Sequence, residues 1–260
     1  MDCKRALEAS GGDMETAIEH LRKKGAAVGQ KRADRATKEG VIVTRVSSDG
    51  RKGVIVEINC ETDFVGRSDD FVAFGHAVAE AIERNTPATL DAVAALPTSR
   101  GKTVAELMND LLAKVAEKVD IRRFVVYESA DGRVSAYTHL GNKIGVLVET
   151  TGGTADSPVG RDVAMQIAAM NPTVVTRDQI AADTIARELD IYRTQATNEG
   201  KPAQVVEKIA QGRLEKFYQE VVLTEQTFIK DSGKTIKDHI QSAGVSMRRF
   251  ERFHLGEELK

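Results

Sequence analysis

The chain has 260 residues, with 37 Lys plus Arg against 39 Asp plus Glu, a formal charge of -2, 41% hydrophobic and 29% charged residues. That balance fits a globular chain and excludes a disordered one, a global polybasic field for nucleic acid, and an acidic tail for a basic partner. Aromatics are sparse at 5% with no Trp, which argues against a base-stacking surface. The two cysteines, Cys3 and Cys60, are too few for a Cys-rich zinc site or a disulfide scaffold and suit a reducing compartment.

Two short helices open the chain. Cys3, Ala6, Leu7 and Ser10 share a weakly apolar face, Gly11-Gly12 breaks it, and Asp13 caps a second helix carrying Ala17, Ile18 and Leu21, which stops at Gly25 after Lys23-Lys24. The start carries charge without an apolar core segment, so it does not read as a secretory signal, and no run approaches the 18 apolar residues of a membrane span. Residues 26–39 read as an Ala-, Lys- and Arg-rich linker. From Gly40 the period changes to two: GVIVTRVS and KGVIVEIN form a hairpin about Ser48-Asp49-Gly50.

Asp69 or Asp70 is read as the cap of a helix with Phe71, Phe74, Val78 and Ile82 on one face. Thr103 and Glu106 form a capping box before Val104, Leu107, Leu111, Val115 and Val119. Three strands follow, RRFVVYE, RVSAYTH and KIGVLVET. A helix then starts with Pro158 at its first position and ends before Pro172. Residues 177–220 read as an antiparallel helical hairpin. Ile185, Leu189, Tyr192 and Ala196 face Val205 or Val206, Ile209, Arg213 and Phe217, and Gly200-Lys201-Pro202 lies in the turn. Two ordinary packed helices are the alternative to a projecting arm. A loop, a short helix and a final strand complete the chain.

The chain repeats itself. GKTVAELM at 101–108 recurs as GKTIKDHI at 233–240, DIRRF at 120–124 as SMRRF at 246–250, and GVIVE at 53–57 as GVLVE at 145–149. The collinear set predicts two related α+β halves, each sheet burying one face against its helices, with the helical hairpin inserted in the second copy.

Catalytic signatures are missing from the sequence. The two Gly-Lys-Thr runs lack the upstream glycines of a phosphate loop, and there is no GxGxxG, HExxH, nucleophile elbow or Cys-x-x-Cys. His20, His76, His139, His239 and His254 lack partners at metal-ligand spacing, so neither a metal nor a cofactor is expected. An enzyme would require distant groups converging in a cleft.

Two segments stand out. Thr62-Asp63-Phe64-Val65 follows a strand and precedes a capped helix. One reading has Thr62 or Asp63 capping a short turn with Phe64 in the core; the other has Phe64 presented as an anchor for a partner protein. Tyr137-Thr138-His139-Leu140-Gly141 lies at a turn between strands, either a plain hairpin end or a contact surface. Arg122-Arg123 and Arg248-Arg249 recur beside matched strands, which favours ion pairing within the fold over phosphate binding.

In combination these residues resemble the bacterial elongation factor Ts family, nucleotide-exchange factors of the translational GTPase elongation factor Tu. The resemblance is carried by Met-Asp-Cys-Lys-x-Ala-Leu at 1–7, Gly-Asp-x-x-x-Ala-Ile at 12–18 and above all Asn-Cys-Glu-Thr-Asp-Phe-Val at 59–65. Ile121-Arg122-Arg123, Tyr137-x-His139, 144–148, Gly200-Lys201-Pro202, Glu207-Lys208-Ile209, Gly212-Arg213-Leu214, Arg248-Arg249-Phe250 and Leu255-Gly256-Glu257 add to it. It covers essentially the whole chain.

The resemblance implies an α+β fold with antiparallel sheets. A UBA-like helical domain occupies 1–25, read as lacking the family's first helix, and a linker occupies 26–39. Two core subdomains follow at 40–140 and at 141–176 with 221–260, and a coiled-coil arm lies at 177–220. It implies a cytoplasmic, non-enzymatic protein without a cofactor, directed at elongation factor Tu in its GDP-bound and nucleotide-free states and not at nucleic acid or membrane; self-association is left open. Thr62, Asp63, Phe64 and Val65 are similar to the family's wedge into the GTPase domain. Tyr137, His139, Gly141 and Ile144 are similar to its second contact surface, and Met1 and Asp2 to its N-terminal contact. An exchange-inactive or ribosome-associated binding module on the same scaffold is the alternative.

Overall fold

The computed structural model describes residues 2–17, 19–21, 35–139, 141–154 and 157–259, with Asp2 and Cys3 described by their backbone. Met1, Ile18, Lys23, Lys24, Gly25, most of the 26–39 segment and Leu140 lie outside these residues. The architecture is mixed α and β. The chain divides into two compact units, one of residues 1–130, 136–147 and 251–260, the other of residues 131–135 and 148–250.

In the first unit, helix α1 (Asp2–Ala9) ends at Gly11 and Gly12, whose φ angles of 58° and 88° suit residues without a Cβ. Asp13 then caps the next helical turn, its Oδ1 accepting from the Thr16 amide at 2.7 Å. Strands β1 (Glu39–Val46), β2 (Lys52–Cys60) and β3 (Val119–Glu128) form a sheet in the order β1-β2-β3, both pairings antiparallel. A single-turn helix α2 (Asp63–Gly66) follows β2, then α3 (Asp69–Asn85), the short α4 (Leu90–Val93) and α5 (Val104–Val115).

The core forms where the β-branched face of the sheet meets α3 and α5. Val41, Val43, Val54, Val56 and Ile58 are buried against Phe71, Phe74, Val78, Ile82, Val104 and Leu111. Helix α3 is capped by Ser68, which accepts from the Phe71 amide, and not by Asp69 or Asp70. Those carboxylates instead occupy the first turn, where they complement the helix dipole. The Thr103–Glu106 capping box of α5 is present in both directions, but the helix stops at Val115 with Ala116 in the left-handed region, so Val119 opens β3 and does not continue the helix.

The sheet departs from the one-sided expectation: β2 is buried on both faces. Gly145 explains this. A Cβ there would lie 2.5 Å from Ile42 and 3.1 Å from Ile55, so the missing side chain lets the second face of the sheet be covered at close range.

Strands β4 (Arg133–Thr138), β5 (Ile144–Gly152) and β8 (Val245–His254) form a second sheet in the order β4-β5-β8, matching the hairpin-plus-returning-strand order of the first. In the second unit, helix α6 (Val159–Met170) is preceded by Pro158 at the cap, one position before the expected one, and ends at Asn171 in the left-handed region. Gly160 approaches Ser135 so closely that a Cβ would sit 2.3 Å from its hydroxyl. Helices α7 (Ala182–Asn198) and α8 (Ala203–Val221) pack on each other. The small strands β6 (Thr227–Phe228) and β7 (Asp231–Thr235), absent from the sequence reading, precede α9 (Ile236–Ser242), whose Thr235–Asp238 capping box repeats that of α5.

The α7–α8 seam is registered differently from the expectation. On α8 the fully buried positions are Ala210, Leu214 and Tyr218, while the expected Ile209, Arg213 and Phe217 are half-buried, Phe217 packing against Leu214 and Tyr218. Arg213 reaches across to Gln195 of α7 at 3.1 Å and to Glu199 at 2.8 Å, and Arg193 meets Glu207 at 2.7 Å. Two guanidinium groups therefore border the seam, and the 3.6-residue period rotates the next positions inward.

Candidate interaction site

The residues from Cys60 to Ser68 make a short, heavily hydrogen-bonded turn between β2 and α3. Thr62 is extended (φ −125°, ψ 152°) and caps α2, its hydroxyl accepting from the Val65 amide at 3.4 Å. The Gly66 amide donates to the Thr62 carbonyl at 3.2 Å, and the Arg67 amide to that of Asp63 at 3.0 Å. Ser68 closes the turn by donating its hydroxyl to the Val65 carbonyl at 2.8 Å. On the strand side, the Cys60 thiol donates to the Thr62 carbonyl at 3.0 Å. Burial, aided by the Glu117 carboxylate, pushes that thiol up to about 12.

This scaffold leaves Phe64 88% exposed, while Val65 packs on the core and Gly66 is buried. The core reading of Phe64 is therefore excluded: the only large aromatic of the turn is held in water. Gly66 rests against Gly40 of β1, where an added Cβ would lie 3.2 Å from the Gly40 backbone. Asp63 forms an exposed ion pair with Arg67 at 3.0 Å, an interaction of small energetic weight.

The second candidate segment sits at the β4–β5 turn. The His139 amide donates to the Ile144 carbonyl at 2.9 Å, and Gly141 and Asn142 adopt φ angles of 82° and 55°. The Asn142 carbonyl accepts from the Ile42 amide at 2.7 Å, which ties the turn to β1. Tyr137 Oη lies 3.0 Å from His139 Nδ1, and Ile144 is half-buried. One cleft is lined by Gly40, Asp63, Gly66, Arg67, Gly141 and Asn142. Asp63 and Gly141, distant in sequence, are thus brought to one cleft; Phe64, Tyr137, His139 and Ile144 are not part of its lining. Asp2 lies at the start of α1, and Met1 is outside the described residues.

Two residues that sequence reasoning did not single out touch the Thr62–Val65 turn, Arg67 and Glu117. The Glu117 carboxylate accepts from both the amide and the hydroxyl of Thr62, at 3.0 and 2.7 Å. The signal for Glu117 was its place two residues before β3, opposite the end of β2. It becomes readable only once the β2–β3 register is known.

The repeated arginine pairs are ion-paired within the fold. Arg122 and Arg123 hold the fully buried Glu57 at 2.9 and 2.7 Å, and Arg248 and Arg249 hold the buried Glu149 at 3.3 and 2.6 Å. Burial tends to raise the Glu57 carboxyl, but the Gly256 amide and the two guanidinium groups outweigh it and keep it below its ordinary value. Among the described residues, no group of three or more His, Cys, Asp or Glu side chains is placed to hold a metal ion, and no helix is long and apolar enough to cross a membrane.

Comparison with known proteins gives consistent matches. The family model described as "Elongation factor TS" matches residues 61–257. Elongation factor Ts of Chloroherpeton thalassium is 46% identical over 269 residues, covering 99% of this chain and 93% of that protein. That of Prosthecochloris aestuarii is 45% identical over 267 residues, covering 98% and 93%. That of Methylococcus capsulatus is 43% identical over 260 residues, covering 100% and 88%.

Proposed function

The chain belongs to the elongation factor Ts family, and from that premise we propose that it binds elongation factor Tu, in its GDP-bound and nucleotide-free states, and speeds GDP release so that GTP can enter. Such a factor is not an enzyme. It needs no general acid or base; it stabilises a nucleotide-poor conformation of its partner, and nucleotide in turn weakens its own binding by the same factor.

The Asp63-Phe64 pair is the wedge in this reading. It enters between two helices of the GTPase domain and disturbs the groups that hold Mg²⁺ and the phosphates. The observation that carries it is Phe64, 88% exposed on a turn that is hydrogen-bonded at both ends. An aromatic held in water by a rigid backbone contributes apolar contact only when a cleft opens for it. Tyr137, His139, Gly141 and Ile144 supply a second contact to the partner, and Met1 and Asp2 a third. The division into a UBA-like domain at 1–25, a linker at 26–39, core subdomains at 40–140 and at 141–176 with 221–260, and a coiled-coil arm at 177–220 is part of the same proposal, as is a cytoplasmic location.

Stopped-flow release of a fluorescent GDP from elongation factor Tu tests the wedge. Phe64→Ala slows release while the fold, read by circular dichroism, is unchanged; release at the parent rate overturns the assignment. Complex formation by the parent chain without any acceleration of GDP release would identify an exchange-inactive module instead.

A further inference from the structure

The β2–β3 ladder ends at the pair Cys60↔Val119. Continued as backbone, it would pair Glu61 with Lys118 and Thr62 with Glu117. Side-chain carboxylates take over as the acceptors. The Lys118 amide donates to Glu61 Oε1 at 2.8 Å, and the Thr62 amide donates to Glu117 Oε2 at 3.0 Å. The amides therefore remain satisfied past the point where the backbone ladder stops.

Glu117 gives Thr62 a second bond, accepting its hydroxyl on Oε1 at 2.7 Å. That contact fixes what the hydroxyl can do. With its proton committed to Glu117, Thr62 Oγ1 turns lone pairs toward the Val65 amide and serves as the acceptor that caps α2. One carboxylate thus sets the backbone, the side chain and the capping role of the residue from which Phe64 is displayed.

The position of Glu117 has no local rationale. It lies just past Ala116, the left-handed C-cap of α5, where a negative charge opposes the helix dipole. Its geometry is explained by Thr62.

We propose that Glu117 is a positioning residue for nucleotide exchange, acting through Thr62 to aim Phe64. This rests on the exchange reading above. The test measures GDP release from elongation factor Tu as a function of exchange-factor concentration, together with amide hydrogen exchange over residues 61–66, for the parent chain, Glu117→Ala, Glu117→Gln, Phe64→Ala and Phe64→Ala with Glu117→Ala.

Glu117→Ala is expected to speed exchange of the Thr62 and Val65 amides and to lower the maximal release rate by about tenfold, the scale of one lost hydrogen bond. The half-maximal concentration stays near that of the parent, because the remaining contact surface is unaltered. Glu117→Gln keeps one acceptor and recovers part of the rate. On the Phe64→Ala background, Glu117→Ala slows release no further. Unchanged amide protection or a parent-like maximal rate in Glu117→Ala, with Phe64→Ala slow, overturns the Glu117 assignment alone. Additive slowing on the Phe64→Ala background also overturns it, marking Glu117 as a direct partner contact. Parent-rate release by Phe64→Ala overturns the wedge reading, and the role of Glu117 in exchange with it.

Discussion

Arg123 stands directly opposite Glu57 in the β2–β3 ladder and donates its Nε to Glu57 Oε2 at 2.7 Å. The register shifts at Glu57/Ile58, where Ile58 pairs with Ile121, so Arg122 is the extra residue of a β-bulge. Consecutive strand residues ordinarily point to opposite faces. The bulge lets both arginines reach one carboxylate. Glu149 is held by Arg248 and Arg249 in the second copy of the motif. Removing either carboxylate takes a shared acceptor from two guanidinium groups, although Arg123 keeps Glu257 and Arg248 keeps Asp131. Glu57→Ala is expected to cost about 3–5 kcal/mol, as for a broken buried ion pair. Glu149→Ala costs less, because Arg248 and Arg249 are 43% and 51% exposed against 22% and 19% for Arg122 and Arg123. Urea unfolding of the two variants checks the order.

The same carboxylate gives a pH signature. Its folded value lies below 4.5, so its contribution is complete above about pH 4.5 and is lost as the pH falls through the folded value. The stability of the parent chain should therefore fall more steeply below pH 4.5 than that of Glu57→Gln, and the two curves should converge in acid. Denaturation midpoints measured from pH 7 down to the acid transition would reveal this; parallel curves would refute it.

Phe64→Ala separates exchange from stability. With Phe64 88% exposed, its truncation removes almost no buried area, and the unfolding free energy should change by less than about 0.5 kcal/mol. Phe74→Ala, removing a buried side chain of the same type from the core, should cost about 3–5 kcal/mol. Thermal or urea unfolding of the pair provides the comparison. A large loss in Phe64→Ala would mean that the side chain packs in the folded protein.

Close packing of Gly66 on Gly40 sets the height of the turn above β1. Gly66→Ala requires the Gly40 backbone to give by a few tenths of an ångström, whereas Gly40→Ala, at φ 139°, places a Cβ 2.0 Å from the Ile58 carbonyl oxygen. Gly66→Ala is expected to slow GDP release at a stability cost of about 1 kcal/mol, and Gly40→Ala to cost about 1–3 kcal/mol or more through overpacking and strain. Release kinetics and unfolding curves on the two variants would distinguish displacement of the turn from general destabilisation.

Cys60 should be chemically silent while the protein is folded. A thiol pushed up to about 12 by burial leaves about one thiolate in 10⁴ at pH 8. In a Cys3→Ser background, a thiol reagent should modify Cys60 only upon unfolding, at a rate that follows denaturant concentration. Rapid labelling under native conditions would show that the strand end opens readily.

Much of this fold was legible because local rules and internal repetition agree. Both capping boxes sit where Thr103-x-x-Glu106 and Thr235-x-x-Asp238 place them, and the arginine pairs are bound to the glutamates that end GVIVE and GVLVE. What escaped depended on tertiary context. Ser68 outcompeted the adjacent aspartates for the α3 cap because it alone also closes the preceding turn. The α8 seam is centred on Leu214 and Tyr218, one position on from Arg213 and Phe217, a small rotation that a 3.6-residue period leaves open until the facing helix is placed. Strands β6 and β7 are too short and polar for a period to emerge. At the turn itself, the sequence left Phe64 between core and surface, and only the fold decides its exposure. The role of Glu117 depends on a bond spanning 55 residues, which no local pattern encodes.

The Gly256 amide completes the coordination of Glu57 at 2.9 Å across 199 residues, and Glu257 meets Arg123 at 2.7 Å. During synthesis, β1, β2 and β3 leave the ribosome long before these last partners exist. The first sheet must therefore wait with an incompletely neutralised charge cluster at its centre, a contact of very high sequence separation. Folding of the first unit is consequently tied to the arrival of Gly256 and Glu257: nascent chains halted before Gly256 carry a destabilised first sheet, which these two residues secure.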